Sequence, residues 1–403
     1  MRLLDPALPA VQYLVGAGAH DVLRLPIEAT GGRIESVRPV QVQYRPGSDV
    51  VVRYSAQVSW HGGSSTRETL VAASTVHGAH PGALLVTADT ASGPIEVGVW
   101  RWPYDPVLSG LGDVVTPSSV ADVLGVATDR LGVEVVAFRP TERAVVRVSR
   151  DGDPIAYVKV VPPARAPEVT RRHETLIAAG VPAAPVLVGD HERGLIGLDV
   201  LRGPTLRDLV KSDADDWPDP VEFIGLGDAI STAPVAGPGP ASRLTDGALH
   251  ARMLATVVPE AAPLLDDLAR RFDAAGLPPA DGTVHGDLHE GQVIVDHGRI
   301  VGVLDVDDVG PGASVDDFAN LIARIRFRAA TAAATNDRLD RYAVSLRDVA
   351  RERHDTDRLD LHTAAALVGL ATGPFRIQAE DWRATVVHLL DLAADLSMRE
   401  LSA

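Results

Sequence analysis

The sequence predicts an α+β protein: a strand-rich N-terminal portion, then a small mixed β/α lobe, then a large, mainly helical lobe. Three observations carry this expectation. Val40 to Val58 alternates as a half-buried strand pair does, and Arg45-Pro46-Gly47-Ser48-Asp49 marks the turn. A second such stretch leads through Asp151-Gly152-Asp153-Pro154 into the apolar strand Ile155 to Val161. From Ala319 onward, apolar residues recur at three- and four-residue intervals, as around Leu361 to Val368 and Val386 to Leu396, the period of helices packed on one face.

The two hairpin stretches also resemble each other. Val42, Arg45, Pro46, Val51, Val52, Arg53 and Ser55 recur in order and spacing as Val136, Arg139, Pro140, Val145, Val146, Arg147 and Ser149. This suggests a duplicated hairpin; the alternative is chance similarity between valine-rich strands. Arg101-Trp102-Pro103-Tyr104-Asp105-Pro106 closes the first region with proline punctuation. Thr116-Pro117 then reads as an N-cap with proline at the first helical position, opening a helix to about Gly125. A boundary near Asp113 gives expected domains of 1–112, 113–201 and 202–403. Within the second, a helix is expected from Ala166 to Ala179, followed by two strands, the later one Leu195 to Leu201.

The 403 residues carry a formal net charge of −16, 46% hydrophobic residues and no cysteine. Thiolate nucleophiles, disulfides and zinc-thiolate sites are thereby excluded. No apolar run approaches the ~20 residues of a membrane span, and Asp5, Pro6 and Pro9 interrupt any signal-like start, so a cytoplasmic location is expected. The negative field disfavours nucleic acid and anionic lipid as partners. It solubilises the surface, and it leans the choice of small-molecule partner towards a cation such as an amine-bearing sugar. Lysine occurs only at Lys159 and Lys211, and asparagine only at Asn320 and Asn336. In an arginine-rich chain, a lysine inside an apolar strand suggests work for a compact point charge, which makes Lys159 a candidate.

The chemistry concentrates between Thr283 and Asp317. Val293 to Val295 and Ile300 to Leu304 read as strands around the turn Asp296-His297-Gly298, with Asp287 before the unit, Gln292 at its start and Asp305 at its end. Two carboxylates and an amide oxygen so placed suit phosphoryl transfer: one acid to orient or accept the substrate proton, and oxygen ligands for magnesium. His285, Asp287 and His289 at alternate positions also admit a metallohydrolase reading, which leaves Lys159 unexplained.

His285-Gly286-Asp287, with Gln292 five residues on and the strand-borne Asp305, resembles the signature of the aminoglycoside phosphotransferase and choline kinase superfamily. Glutamine in place of the usual asparagine is nearest its maltokinase and glucosamine kinase branch. The resemblance spans about residues 113–403 and implies a protein-kinase-like two-lobed fold, with the N-terminal α+β region as a cap domain. It implies Asp287 as catalytic base, Gln292 and Asp305 as Mg2+ ligands, and Lys159 on the α- and β-phosphates of ATP with Glu174 as its pair. It further implies a hinge at Leu195 to Leu201, including Asp199 and Leu201, and Asp317 bracing the catalytic loop. The family's G-x-x-D-x-x-x-D is matched at Gly310 and Asp317, but Ala313 stands where the first Asp belongs. No glycine-rich phosphate loop is present. Arg139 to Arg143 takes its place, making Thr141 and Arg143 candidate phosphate contacts or else solvated turn residues. The implied activity is phosphate transfer to a hydroxyl of a small molecule, an amino sugar or aminoglycoside, or a neutral sugar as in maltokinases. A catalytically silent binding module of the same fold is the remaining alternative.

Overall fold

The computed structural model describes residues 3–90, 93–331 and 337–398; Asn336 lies outside them. The chain forms two compact units. One comprises Met1–Ala166, Val188–Gly197 and Pro374–Glu380, the other Pro167–Leu187, Leu198–Gly373 and Asp381–Ala403.

The first unit opens with short helix α1 (Val11–Leu14) and helix α2 (Ala19–Ala29). Strands β1 (Gly32–Arg45), β2 (Asp49–Trp60), β3 (Ser65–Thr75), β4 (Leu84–Thr90) and β5 (Gly93–Arg101) form a sheet in the order β1-β2-β3-β5-β4. Helix α3 (Pro117–Leu124) follows. Thr116 Oγ1 accepts the Ser119 N–H at 3.2 Å, proline occupies the first turn, and Gly125 closes the helix at φ 66°. Strands β6 (Leu131–Arg139), β7 (Arg143–Arg150) and β8 (Asp153–Val160) then pair with β9 (Val186–Asp190) and β10 (Leu195–Leu198) in the order β6-β7-β8-β10-β9. The two sheets therefore share one strand order. Val51, Val71 and Ala73 of the first, Ala144, Val146 and Val158 of the second, and Leu108, Leu111 and Val114 between them form one apolar cluster.

The hairpin repeat extends to hydrogen bonds. In the first hairpin the Ser48 N–H donates to Arg45 O at 3.0 Å; in the second the Glu142 N–H donates to Arg139 O at 3.1 Å. Each turn has proline second and a positive-φ residue third, Gly47 at 66° and Thr141 at 65°, the type II pattern. Each third residue donates its N–H to an upstream aspartate: Gly47 to Asp5 Oδ2 at 2.7 Å, Thr141 to Asp105 Oδ2 at 3.0 Å. Both aspartates begin an Asp-Pro-x-Leu run, 5–8 and 105–108, and Leu8 and Leu108 are both buried.

The second unit begins with α4 (Ala166–Ala178), whose first residue belongs to the first unit. Helices α5 (Leu206–Lys211), α6 (Pro220–Ser231), α7 (Arg243–Val257) and α8 (Ala262–Ala274) follow. Two small ladders come next: β11 (Gly282–Val284) pairs with β14 (Gly310–Gly312), and β12 (Val293–Asp296) with β13 (Arg299–Val303). Helices α9 (Ser314–Thr331), α10 (Asp337–Arg351), α11 (Thr356–Arg376) and α12 (Trp382–Met398) complete the fold. Phe223, Leu288, Val293, Val303, Phe318 and Leu321 share its core. Among the described residues, no helix is long and apolar enough to cross a membrane.

The expected strand Leu195 to Leu201 is shorter than the sequence suggested. It ends at Leu198, and the N–H of the next residue, Asp199, donates to Pro185 O at 2.8 Å just ahead of β9.

Candidate active site

The loop between β11 and β12 carries His285, Gly286 and Asp287, and α9 holds it from below. Asp317, in the first turn of α9, accepts the His285 N–H at 2.6 Å and the Gly286 N–H at 2.8 Å. Burial raises the pKa of Asp317, and His285, the two backbone donors and Arg243 oppose that rise. Gly286 has φ 85°, and a Cβ there would lie 2.8 Å from Pro240, so glycine is required on both counts. His285 is fully buried. Its Nδ1 accepts the Asp287 N–H at 3.2 Å, which leaves Nε2 to donate to Leu304 O at 2.9 Å. One imidazole thus ties Asp287 to the residue preceding Asp305.

One turn along α9 from Asp317, Asn320 spends both amide hydrogens on the loop, donating to Asp287 Oδ1 at 3.1 Å and to Leu288 O at 2.9 Å. Arg324 follows, 3.6 Å from the same Oδ1. Burial alone would raise the Asp287 pKa. Arg324, with His289, Arg243 and His285 after it, outweighs that effect and holds the carboxyl below its ordinary value. Asp287 is therefore ionised at neutral pH. Its neighbour Glu290 is 1% exposed and is likewise held well below the carboxylate range against its burial, by His289, Arg207 and Arg328.

Gln292 and Asp305 face each other across the β12–β13 hairpin, with the Gln292 amide 3.3 Å from Asp305 Oδ2. The Leu304 N–H donates to Gln292 O at 2.7 Å, and Asp305 adopts φ 55°, which turns its side chain out of the strand. The donor set fits Mg2+, a hard cation that takes one or two protein oxygens and completes its shell with phosphate and water. Turning the Gln292 amide over would present its oxygen beside the carboxylate.

The metallohydrolase arrangement does not form. Both nitrogens of His285 are committed to backbone, and His289 Nδ1 accepts the Gly291 N–H at 2.9 Å. Among the described residues, no three His, Cys, Asp or Glu side chains converge as metal ligands.

The other sequence candidates fall as follows. Lys159 lies on β8 opposite Val145 and is 7% exposed. Thr141 commits its N–H to Asp105 and its hydroxyl to Pro140 O, while Arg143 begins β7, half-buried. Asp199, exposed, accepts the Val200 N–H on its own Oδ1, and Leu201 is half-buried beyond β10. Glu174 sits on the exposed side of α4. The buried side of that helix holds Arg172, which donates to Asp307 O and pairs with Glu168 at 2.7 Å, and His173, whose Nδ1 meets Ala184 O at 2.9 Å. Sequence reasoning missed Asn320, Arg324, Arg328 and Glu290. The scarcity that singled out Lys159 applied equally to Asn320.

A sequence model of the phosphotransferase enzyme family matches residues 137–354, which is more than half of the chain. Among solved structures, a thermostable mutant of aminoglycoside phosphotransferase APH(4)-Ia superposes with a TM-score of 0.51 at 16% identity, covering 72% of this chain and 100% of that one. A choline/ethanolamine kinase family protein from Mesorhizobium loti gives 0.47 at 13% identity, covering 70% and 92%. The GDP complex of aminoglycoside 2′-phosphotransferase-IIIa gives 0.44 at 16% identity, covering 66% and 92%. No curated protein matches.

Proposed function

This chain belongs to the phosphotransferase enzyme family and is a small-molecule kinase, and we propose that it moves the γ-phosphate of ATP to a hydroxyl of its acceptor with Asp287 as the base. The observation that supports the assignment is the grip on Asp287: Asn320 fixes one carboxylate oxygen, and Asp317 holds the two preceding amides. A carboxylate kept below its usual pKa is a weak base. Its part is therefore to orient the hydroxyl oxygen towards phosphorus and to take the proton as the new P–O bond forms. Asn320 keeps the carboxylate from rotating away, so the nucleophile is positioned before reaction.

Gln292 and Asp305 are the residues that would hold Mg2+, which when bound neutralises phosphate charge. Lys159 is assigned to the nucleotide phosphates, with Glu174 as its pair, and Asp199 and Leu201 to the segment that meets the base. Thr141 and Arg143 remain candidates for phosphate contact. Among acceptors, the net charge of −16 is the one feature that favours an amino sugar, and Gln292 is the one that favours the maltokinase branch and a neutral sugar.

Asp287→Ala should lower ADP release by about 10²–10⁴-fold, the usual worth of a positioned acid or base. The thermal shift produced by magnesium-ATP should persist in the variant. Undiminished turnover would remove Asp287 from the reaction. A parent enzyme that binds nucleotide but releases no ADP with any acceptor would instead identify a silent binding module.

A further inference from the structure

An acidic chain surrounds its reacting carboxylate with bases. Within the helical unit, four guanidinium groups from three helices gather around Asp287 and Glu290: Arg207 of α5, Arg243 of α7, and Arg324 and Arg328 of α9. Carboxylates stand among them, Asp246, Asp316 and Asp317 beside Arg243 as well as Asp287 and Glu290, but they leave the hydrogen-bonding capacity of the four unevenly met. A single oxygen of Glu290 accepts from both Arg207, at 3.0 Å, and Arg328, at 2.9 Å, so two cations share one anion. Arg243 donates to Gly286 O and lies 4.0 Å from Asp246, whose own pKa burial raises.

Arg324 is the least satisfied of the four. It approaches Asp287 only to 3.6 Å, outside hydrogen-bond range. Its Nε is buried with no hydrogen-bond partner among the described residues. Burial lowers its pKa, and although Asp287 and Glu290 outweigh the repulsion of Arg207 and Arg243, they do not make up for that loss of solvent. A desolvated guanidinium with unmade hydrogen bonds favours any ligand that brings acceptor oxygens. Three of the side chains keep comparable partial access, 31% for Arg207, 29% for Arg324 and 28% for Arg328. Charges farther than about 8 Å away are largely screened at physiological ionic strength, so these groups, and not the net charge of the chain, set the field an acceptor meets at Asp287.

We propose that the acceptor is itself an anion: a small polyol carrying a carboxylate or a phosphate ester. Its charged group lies against Arg324, with Arg328 and Arg207 beside it, while its hydroxyl meets Asp287. The inference rests on the phosphotransfer reading and narrows it. Arg324 and Asp287 are 3.6 Å apart, so hydroxyl and anionic group belong to one small skeleton.

The test is a charge series on a common skeleton, with enzyme saturated in magnesium and the non-hydrolysable analogue AMP-PNP. Glucose, glucosamine, glucose 6-phosphate, gluconate and glycerate are titrated by thermal shift, then assayed for ADP release with ATP. An anionic member should bind at least about tenfold more tightly than its uncharged counterpart. Arg324→Gln should erase that preference while moving the nucleotide affinity by less than about twofold. Arg324→Lys, which keeps the charge, should retain part of it. Carboxylate and phosphate members distinguish the two sources of negative charge. Preference for glucosamine, equal binding of charged and uncharged members, or no binding by any anion would overturn the proposal. So would an Arg324→Gln variant whose loss falls equally on nucleotide, since that would assign Arg324 to the transferred phosphate. Failure of magnesium-ATP itself to bind would strike the kinase reading first, and is read separately from the acceptor series.

Discussion

The two five-stranded sheets of the first unit are built alike but carry different side chains at one matching register. They share strand order, three-residue hairpin loops with matching hydrogen bonds, and an aspartate that takes the N–H of the positive-φ turn residue. In the second sheet Val145 pairs with Lys159; at the same register in the first, Val51 pairs with Ala73. Val51 and Ala73 belong to the shared apolar cluster, whereas Val145 is half-buried between Arg143 and Arg147. The register position that holds a lysine in one copy is therefore packed into the apolar cluster in the other. A shared topology thus leaves room for different side chains at one register.

The largest test of this contrast is to make the second sheet resemble the first. Lys159→Met keeps the side-chain volume and removes the charge, and it should lower kcat/KM for ATP by about 10²–10³-fold, the usual effect of deleting one placed electrostatic group. Steady-state kinetics checks it, and an unchanged value would make the two copies functionally equivalent at this position. The supporting aspartates come next. Asp105 is 3% exposed and takes the N–H groups of Val107, Leu108 and Thr141, so Asp105→Ala should cost about 1–3 kcal/mol in urea unfolding. Asp5→Ala should cost less, since Asp5 is half-buried and water can replace its bonds. A reversed order would show that the first turn, not the second, is the rigid one. The smallest effect concerns Thr141, a β-branched residue at φ 65° where the first copy has Gly47. Thr141→Gly should stabilise the fold by about 1 kcal/mol by relieving that conformation. If the substitution also raises the KM for ATP, the strained threonine serves the nucleotide, and the turns differ in function as well as residue.

Much of the site was legible because its parts are close in sequence. His285 to Asp305 is one loop and one hairpin, and the spacing of Asp287, Gln292 and Asp305 could be read from turn residues alone. Asn320, Arg324 and Arg328 were not legible. They act through a helix that returns to the loop from more than thirty residues away, and on their own helix they look like an ordinary polar stripe. Glu174 came from the family resemblance, but the buried positions near it on α4 belong to Arg172 and His173, and periodicity alone does not say which polar residues a helix turns inward. The hairpin repeat was visible because valines and the Arg-Pro turn recur at a constant offset. Its earlier half was hidden, since Asp5 and Asp105 lie one hundred positions apart while Gly47 and Thr141 lie ninety-four apart, so no single register aligns both. The fold class followed from periodicity, whereas the end of the strand at Leu198 is not marked in it, since the apolar residues Val200 and Leu201 follow.

The alignment of Asp317, Asn320, Arg324 and Arg328 along α9 has a consequence for how this chain can vary. Each residue advances an α-helix by about 100°, so one residue added between Phe318 and Ala323 would swing Arg324 and Arg328 away together while Asp317 stayed anchored. The helix would survive such an insertion and the chemistry would not, which makes this span less tolerant of length change than of many substitutions.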